Sequence, residues 1–160
     1  MKKTIAIARI LTVCAFLAMT GCASLPSPEV MKSETTAYQL PKLPEKGKAV
    51  VYVVRPSPLG GIVRFNVFVN DQEPTSEMGY TRSNEYIYFS VPAGEHRIYS
   101  KAETWAETLV SAKEGDIIFI QQEPTIGIIM ARNNLLRLED YVGKYHVKML
   151  KPGTMLKTSK

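Results

Sequence analysis

Glu85-Tyr-Ile-Tyr-Phe-Ser-Val-Pro-Ala-Gly-Glu-His-Arg-Ile-Tyr-Ser-Lys101 is the stretch that decides the fold. Its halves, Glu85 to Val91 and His96 to Lys101, are rich in β-branched and aromatic residues. Between them lies Pro92-Ala-Gly-Glu95, whose glycine can take the positive φ of a tight turn, so the stretch predicts two strands and a hairpin. The same pattern continues to both sides. Ala49 to Arg55 is a nearly continuous apolar run ending at Pro56, which predicts a buried central strand, and Pro58-Leu-Gly-Gly61 then breaks the chain. Val63, Phe65, Val67 and Val69 alternate with Arg64, Asn66 and Phe68 as a half-buried strand should, and Asn70-Asp71 begins a turn. Glu107 to Ala112 and Asp116 to Gln122 flank Lys113-Glu-Gly115 and predict a second hairpin, and Thr125 to Arg132 follows Pro124 as another strand. No period of 20 to 50 residues recurs, which argues against a repeat array. The expectation is an all-β fold, an antiparallel β-sandwich of about seven or eight strands.

Leu135 to Leu150 is less decided. Leu138, Tyr141, Val142, Tyr145 and Met149 fall at helical spacings, and Glu139 and Asp140 suit a helix amino terminus. Gly143 weakens a helix and a final strand over Tyr145 to Leu150 is the alternative, but the pattern favours a short C-terminal helix.

The chain has 160 residues, of which 45% are hydrophobic and 22% charged, so a multi-span membrane protein, a collagen-like chain and a wholly disordered chain are excluded. Residues 1–21 read as an export signal: Lys2, Lys3 and Arg9 precede the apolar run Ile10 to Met19, which is too short to span a bilayer at about 20 residues. Met19-Thr-Gly-Cys22 resembles the bacterial lipobox, although leucine is the commonest residue where Met19 stands. That resemblance implies a lipidated Cys22 as the first mature residue, and stable anchoring needs at least two acyl chains. Ala23, where an aspartate would retain such a protein in the inner membrane, implies the outer membrane. Cys14 would leave with the signal and Cys22 would be acylated, so no thiol remains for a disulfide, a thiolate nucleophile or a metal. Without Lys2, Lys3 and Arg9 the balance is 17 basic to 15 acidic residues, which removes the main support for nucleic-acid binding.

From Ala23 to Lys48 the chain carries Pro26, Pro28, Pro41 and Pro44 among polar residues, and this reads as a flexible tether over 22–47. The sandwich domain is then expected over 48–151 and a basic tail over 152–160.

Lys48-Ala-Val-Val-Tyr-Val-Val-Arg-Pro56, Gly60-Gly61, Val67-Phe-Val-Asn-Asp71 and Tyr88-Phe-Ser-Val-Pro-Ala-Gly-Glu-His96 together look like a family of bacterial lipoproteins grouped as domain of unknown function 2846. The hairpin is also similar to that of PEGA-type modules, which are small transthyretin-like sandwiches of envelope proteins. The resemblance covers roughly residues 48–122, implies a β-sandwich, and supplies no catalytic residues.

Candidate chemistry is sparse. There is no Gly-x-Ser-x-Gly or Ser-x-x-Lys, and only His96 and His146 could act as imidazole bases; both read as structural. Two histidines fifty positions apart with no thiol do not make a zinc site, and Asn70-Asp71 lacks the spacing of a calcium loop. Glu103 with Glu107, and Glu73 with Glu77, read as surface acids rather than paired glycosidase carboxylates. No catalytic residue, metal ligand or cofactor is expected. Tyr86 and Tyr88 share one strand face, and with Tyr99 from the neighbouring strand they could form an aromatic patch that docks a partner or stacks on sugar rings. Lys144, Lys148, Lys151, Lys157 and Lys160 follow Asp140 with no acid between them and could touch anionic headgroups.

These features lead to a non-enzymatic lipoprotein on the periplasmic face of the outer membrane. Its partners are the membrane through the lipid anchor and other envelope proteins, with peptidoglycan or another glycan as the alternative. A hydrolase with an unfamiliar site is the third reading.

Overall fold

A computed structural model describes residues 25–125 and 132–157. The signal, Cys22, most of the strand expected over 125–132 and Lys160 lie outside the described residues. Among the described residues the fold is mostly β, two five-stranded sheets with two α-helices.

The expected buried strand is β1 (Lys48–Arg55), with every residue after Lys48 buried. A strand apolar on both faces needs a neighbour on each edge and a cover on each side. Its edges pair antiparallel with β4 (Glu85–Pro92) and parallel with β7 (Ile117–Thr125). The first sheet is completed by β8 (Arg132–Arg137) beside β7 and β9 (Lys151–Pro152) beside β4. The second sheet is antiparallel throughout. It runs β10 (Thr154–Met155), β3 (Glu77–Thr81), β2 (Phe65–Val69), β5 (Gly94–Lys101) and β6 (Trp105–Ala112), with a bulge in β2 between Val67 and Phe68.

Two expected hairpins are corrected. Pro92-Ala-Gly-Glu95 joins strands of different sheets, β4 to β5, and Lys113-Glu-Gly115 likewise carries the chain from β6 to β7. Gly94 does have a φ of 141°, so the turn chemistry was read correctly, but the reversal crosses the sandwich. The reason is packing: Ile87, Phe89 and Val91 of β4 and Ile98 of β5 all face one core, so the strands meet through side chains instead of backbone bonds. The hairpin in this region is β5 with β6, register Gly94↔Ala112 to Lys101↔Trp105.

The inter-sheet core holds Val51, Val53, Val67, Ile87, Phe89, Ile98, Val110, Ile118 and Ile120, all nearly fully buried. Each such side chain contributes about 1.5–3 kcal/mol relative to exposure. Gln122 lies among them, and its side-chain amide donates to Ser100 Oγ at 2.8 Å and accepts from the Thr81 hydroxyl, joining β7 to both β5 and β3.

A second core lies on the outer face of the first sheet, where Val50, Tyr52, Val54, Tyr86 and Phe119 pack under Val147. Val147 belongs to α2 (Asp140–Met149), the helix favoured by the sequence. Its buried residues are Gly143, His146 and Val147, while Met149 from the expected apolar stripe is exposed.

The flexible tether is corrected too. Pro28–Thr35 forms α1, started by Ser27 and by Pro28 in the first turn, where a missing N–H costs nothing. Met31 and Thr35, one turn apart, are buried, and Glu34 pairs with Lys148 of α2 at 3.1 Å. Further on, the fully buried Tyr52 donates its hydroxyl to Lys42 O at 2.7 Å and accepts from Lys42 N–H at 2.8 Å. The segment therefore belongs to the folded body. At the other end the expected tail begins inside the fold, since β10 pairs with β3 and Met155 packs on the inter-sheet core.

Candidate functional site

The three tyrosines expected to form a patch do not come together. Tyr86 is 5% exposed and Tyr88 is half-buried; their rings lie 6.3 and 5.5 Å from that of Tyr52, which in turn stacks on Phe119 at 5.5 Å. Burial pushes the phenol pKa values of Tyr52 and Tyr86 up, as expected for hydroxyls withdrawn from water. Both Tyr86 and Tyr88 belong to the core beneath α2 because the helix and the 38–40 segment cover that sheet face. Tyr99 is on the other sheet, on its outer side.

What Tyr99 joins is a cluster centred on Trp105. The Trp105 ring is 37% exposed and meets Phe68 edge-on at 5.2 Å and Tyr99 at 6.2 Å, with Lys101 Nζ 4.8 Å above it. β2, β5 and β6 supply these groups: register places Phe68 opposite Tyr99 and Lys101 opposite Trp105. Phe68 is 7% exposed, so it forms a bed that holds the indole, and edge-to-face packing fixes the ring without covering its free side. Along β6 the outward series Trp105, Glu107, Leu109 continues with Glu107 bound to Arg97 at 3.0 Å and Leu109 62% exposed. Beside the indole runs a groove of about 550 Å³ with Thr104, Glu107, Thr125 and Asn134 in its lining.

The sequence sets Phe68 on the outward side of its own strand, but Trp105 was missed because the later strand was expected to begin at Glu107. Starting it two residues earlier would have shown the alternation, with Trp105, Glu107 and Leu109 outward against inward Val110 and Ala112.

The remaining candidates take structural positions. His96 is buried, its Nε2 donating to Pro92 O at 2.9 Å and its Nδ1 3.3 Å from the Asn70 side chain. His146 is buried in α2, its Nε2 has no hydrogen-bond partner among the described residues, and burial lowers its pKa. Asp71 accepts from Glu73 N–H at 2.9 Å, an Asx turn, and Glu77 accepts from Asn66 Nδ2 at 2.6 Å. Among the described residues no three His, Cys, Asp or Glu side chains gather as a metal site, and no helix is long and apolar enough to cross a membrane.

A second groove, about 620 Å³ and mainly apolar, lies between α1, α2 and the start of β7, with Leu40, Leu43, Ile117, Phe119 and Tyr141 in its lining.

No family model matches the chain. An uncharacterized protein of Haemophilus influenzae is 28% identical over 135 residues, which is 84% of this chain and 77% of the relative. Among solved structures, the NMR structure of a protein from Eubacterium rectale aligns with a TM-score of 0.39 at 13% identity, over 59% of this chain and 91% of that one.

Proposed function

We propose that the protein is a lipoprotein anchored through Cys22 to the periplasmic face of the outer membrane, and that its sandwich is a non-catalytic module that binds another envelope protein. The anchor rests on the lipobox-like Met19-Thr-Gly-Cys22, and the export reading on the short apolar run before it. The likeness to the domain of unknown function 2846 lipoproteins is in keeping with both. The observation that carries the binding role is the outer face of the second sheet, where Trp105, Tyr99 and Leu109 are presented beside the Arg97–Glu107 pair. Tryptophan, tyrosine and arginine on a rigid sheet are the residue types that dominate protein-binding energetics.

Photo-cross-linking in living cells tests this. A cross-linker at Leu109 is expected to capture one defined envelope protein, and Trp105→Ala is expected to abolish the adduct. Adducts no different from those of a cross-linker at Glu114, in the β6–β7 turn, would refute it.

A second reading, glycan binding, is favoured by the polar groove next to the indole. An exposed aromatic face with hydroxyl, amide and carboxylate groups beside it suits the apolar face and hydroxyl rim of a sugar. Retention on purified sacculi that is lost in Trp105→Ala and Asn134→Ala would select this reading over the protein partner.

A further inference from the structure

Arg55, at the end of β1, is fully buried, with no ion pair among the described residues. Removing a guanidinium from water is costly unless its donors are satisfied; here the two terminal nitrogens donate to one loop, while Nε has no hydrogen-bond partner among the described residues. Nη1 donates to Val63 O, and Nη2 donates to Leu59 O and Gly60 O, all at 2.8 Å, while the guanidinium lies over the Phe65 ring at 3.8 Å. A single cation thus holds three carbonyls of the loop over 56–64. Ser83 Oγ donates to Ser57 O at 3.0 Å and ties the β3–β4 turn to the same loop.

The loop held this way turns apolar side chains into water. Ile62 is 92% exposed and Leu59 44%. Beside them, exposed Arg64 and Arg82 both lie against the ring of Tyr80, at 5.0 and 5.3 Å from its centroid, so one aromatic ring gathers two guanidinium groups. Neither Pro56 to Arg64 nor Thr81 to Asn84 contains an acid, and the carboxylate of the adjacent Glu85 accepts from Arg82 N–H at 2.7 Å.

We infer that this tip docks on an anionic lipid bilayer. Leu59 and Ile62 enter the interfacial layer, and Arg64 and Arg82 lie at the level of the lipid phosphates. Charge complementarity selects this occupant: two paired guanidinium groups with no opposing acid in their own loops suit a sheet of phosphodiesters, and apolar tips between basic flanks are how peripheral proteins insert. Arg55 accounts for the loop's shape, since a preordered tip loses little entropy on docking. The inference concerns a different surface from the Trp105 face and does not depend on Cys22. Where a lipid anchor is present, it raises the local concentration of the tip at the bilayer, so a weak contact is sufficient.

The test uses the mature chain from residue 22 with Cys22→Ser, floated with phosphatidylcholine vesicles with and without phosphatidylglycerol. The chain is expected to co-float only with the anionic vesicles. Ile62→Asp, and separately Arg64→Glu with Arg82→Glu, are expected to weaken binding about tenfold or more, whereas Val30→Asp, on α1, leaves it unchanged. All four positions are exposed, so unchanged thermal melts should accompany each variant. Failure to co-float with anionic vesicles overturns the inference. So does equal binding by Ile62→Asp, which would mean charge alone is responsible.

Discussion

Gly143 of α2 crosses the Phe119 ring so closely that a Cβ at this position would lie 2.1 Å from Phe119 Cγ. The glycine that weakens the helix in the sequence is what lets the helix reach the sheet. Intrinsic propensity alone would make Gly143→Ala stabilising by about 1 kcal/mol. Close packing against an aromatic ring under a buried helix reverses the sign, and we expect a loss of about 1–3 kcal/mol in urea denaturation. A stabilised Gly143→Ala would show that the helix does not dock on Phe119.

Gln122 is the polar tie between the sheets. Gln122→Leu keeps the volume but leaves the buried Thr81 and Ser100 hydroxyls without their partner, at an expected cost of about 1–3 kcal/mol. Adding Thr81→Val and Ser100→Ala removes those hydroxyls and should recover most of the loss. A triple variant no more stable than the single one would mean that Gln122 acts through packing alone.

Tyr52→Phe distinguishes a docked segment from a free tether. Its hydroxyl makes both hydrogen bonds to the backbone of Lys42. In the native chain the Lys42 amide should be protected from hydrogen exchange, and in the variant it should exchange far faster while β1 and β4 stay protected. An unprotected Lys42 amide in the native chain would restore the tether reading.

His146 gives the fold a mild acid sensitivity. Burial disfavours its imidazolium, so the folded-state pKa is depressed below the ordinary value of about 6.5 and the unfolded chain binds the proton more readily. The stability this group supplies is therefore complete above about pH 6.5 and falls as pH drops below it toward the folded value. Between about pH 7.5 and about pH 5.5 the native chain should lose more stability than His146→Gln. Equal losses would place the acid sensitivity elsewhere.

Strands were legible wherever burial alternates or is continuous, as in β1, β2, β4 and β5. Their pairing was not, because Pro92-Ala-Gly-Glu95 reports that the chain reverses and carries no information on whether it reverses within a sheet or across a core. Tyr86 and Tyr88 look like surface residues by periodicity; α2, more than fifty residues away, and the 38–40 segment cover them. α1 had its local signs, Ser27 before Pro28 and Glu29, but a composition rich in proline and charge outweighed them in a reading of the whole segment. Short strands such as β9 and β10 exist only because neighbours hold them, so no local pattern announces them.

The account is tested most directly by mass spectrometry of the protein purified from the envelope of cells that make it. It expects an amino-terminal peptide that begins at Cys22 and carries at least two acyl chains, one pair joined through the sulfur. A peptide cleaved elsewhere, a free Cys22 thiol, or a retained leader would contradict it.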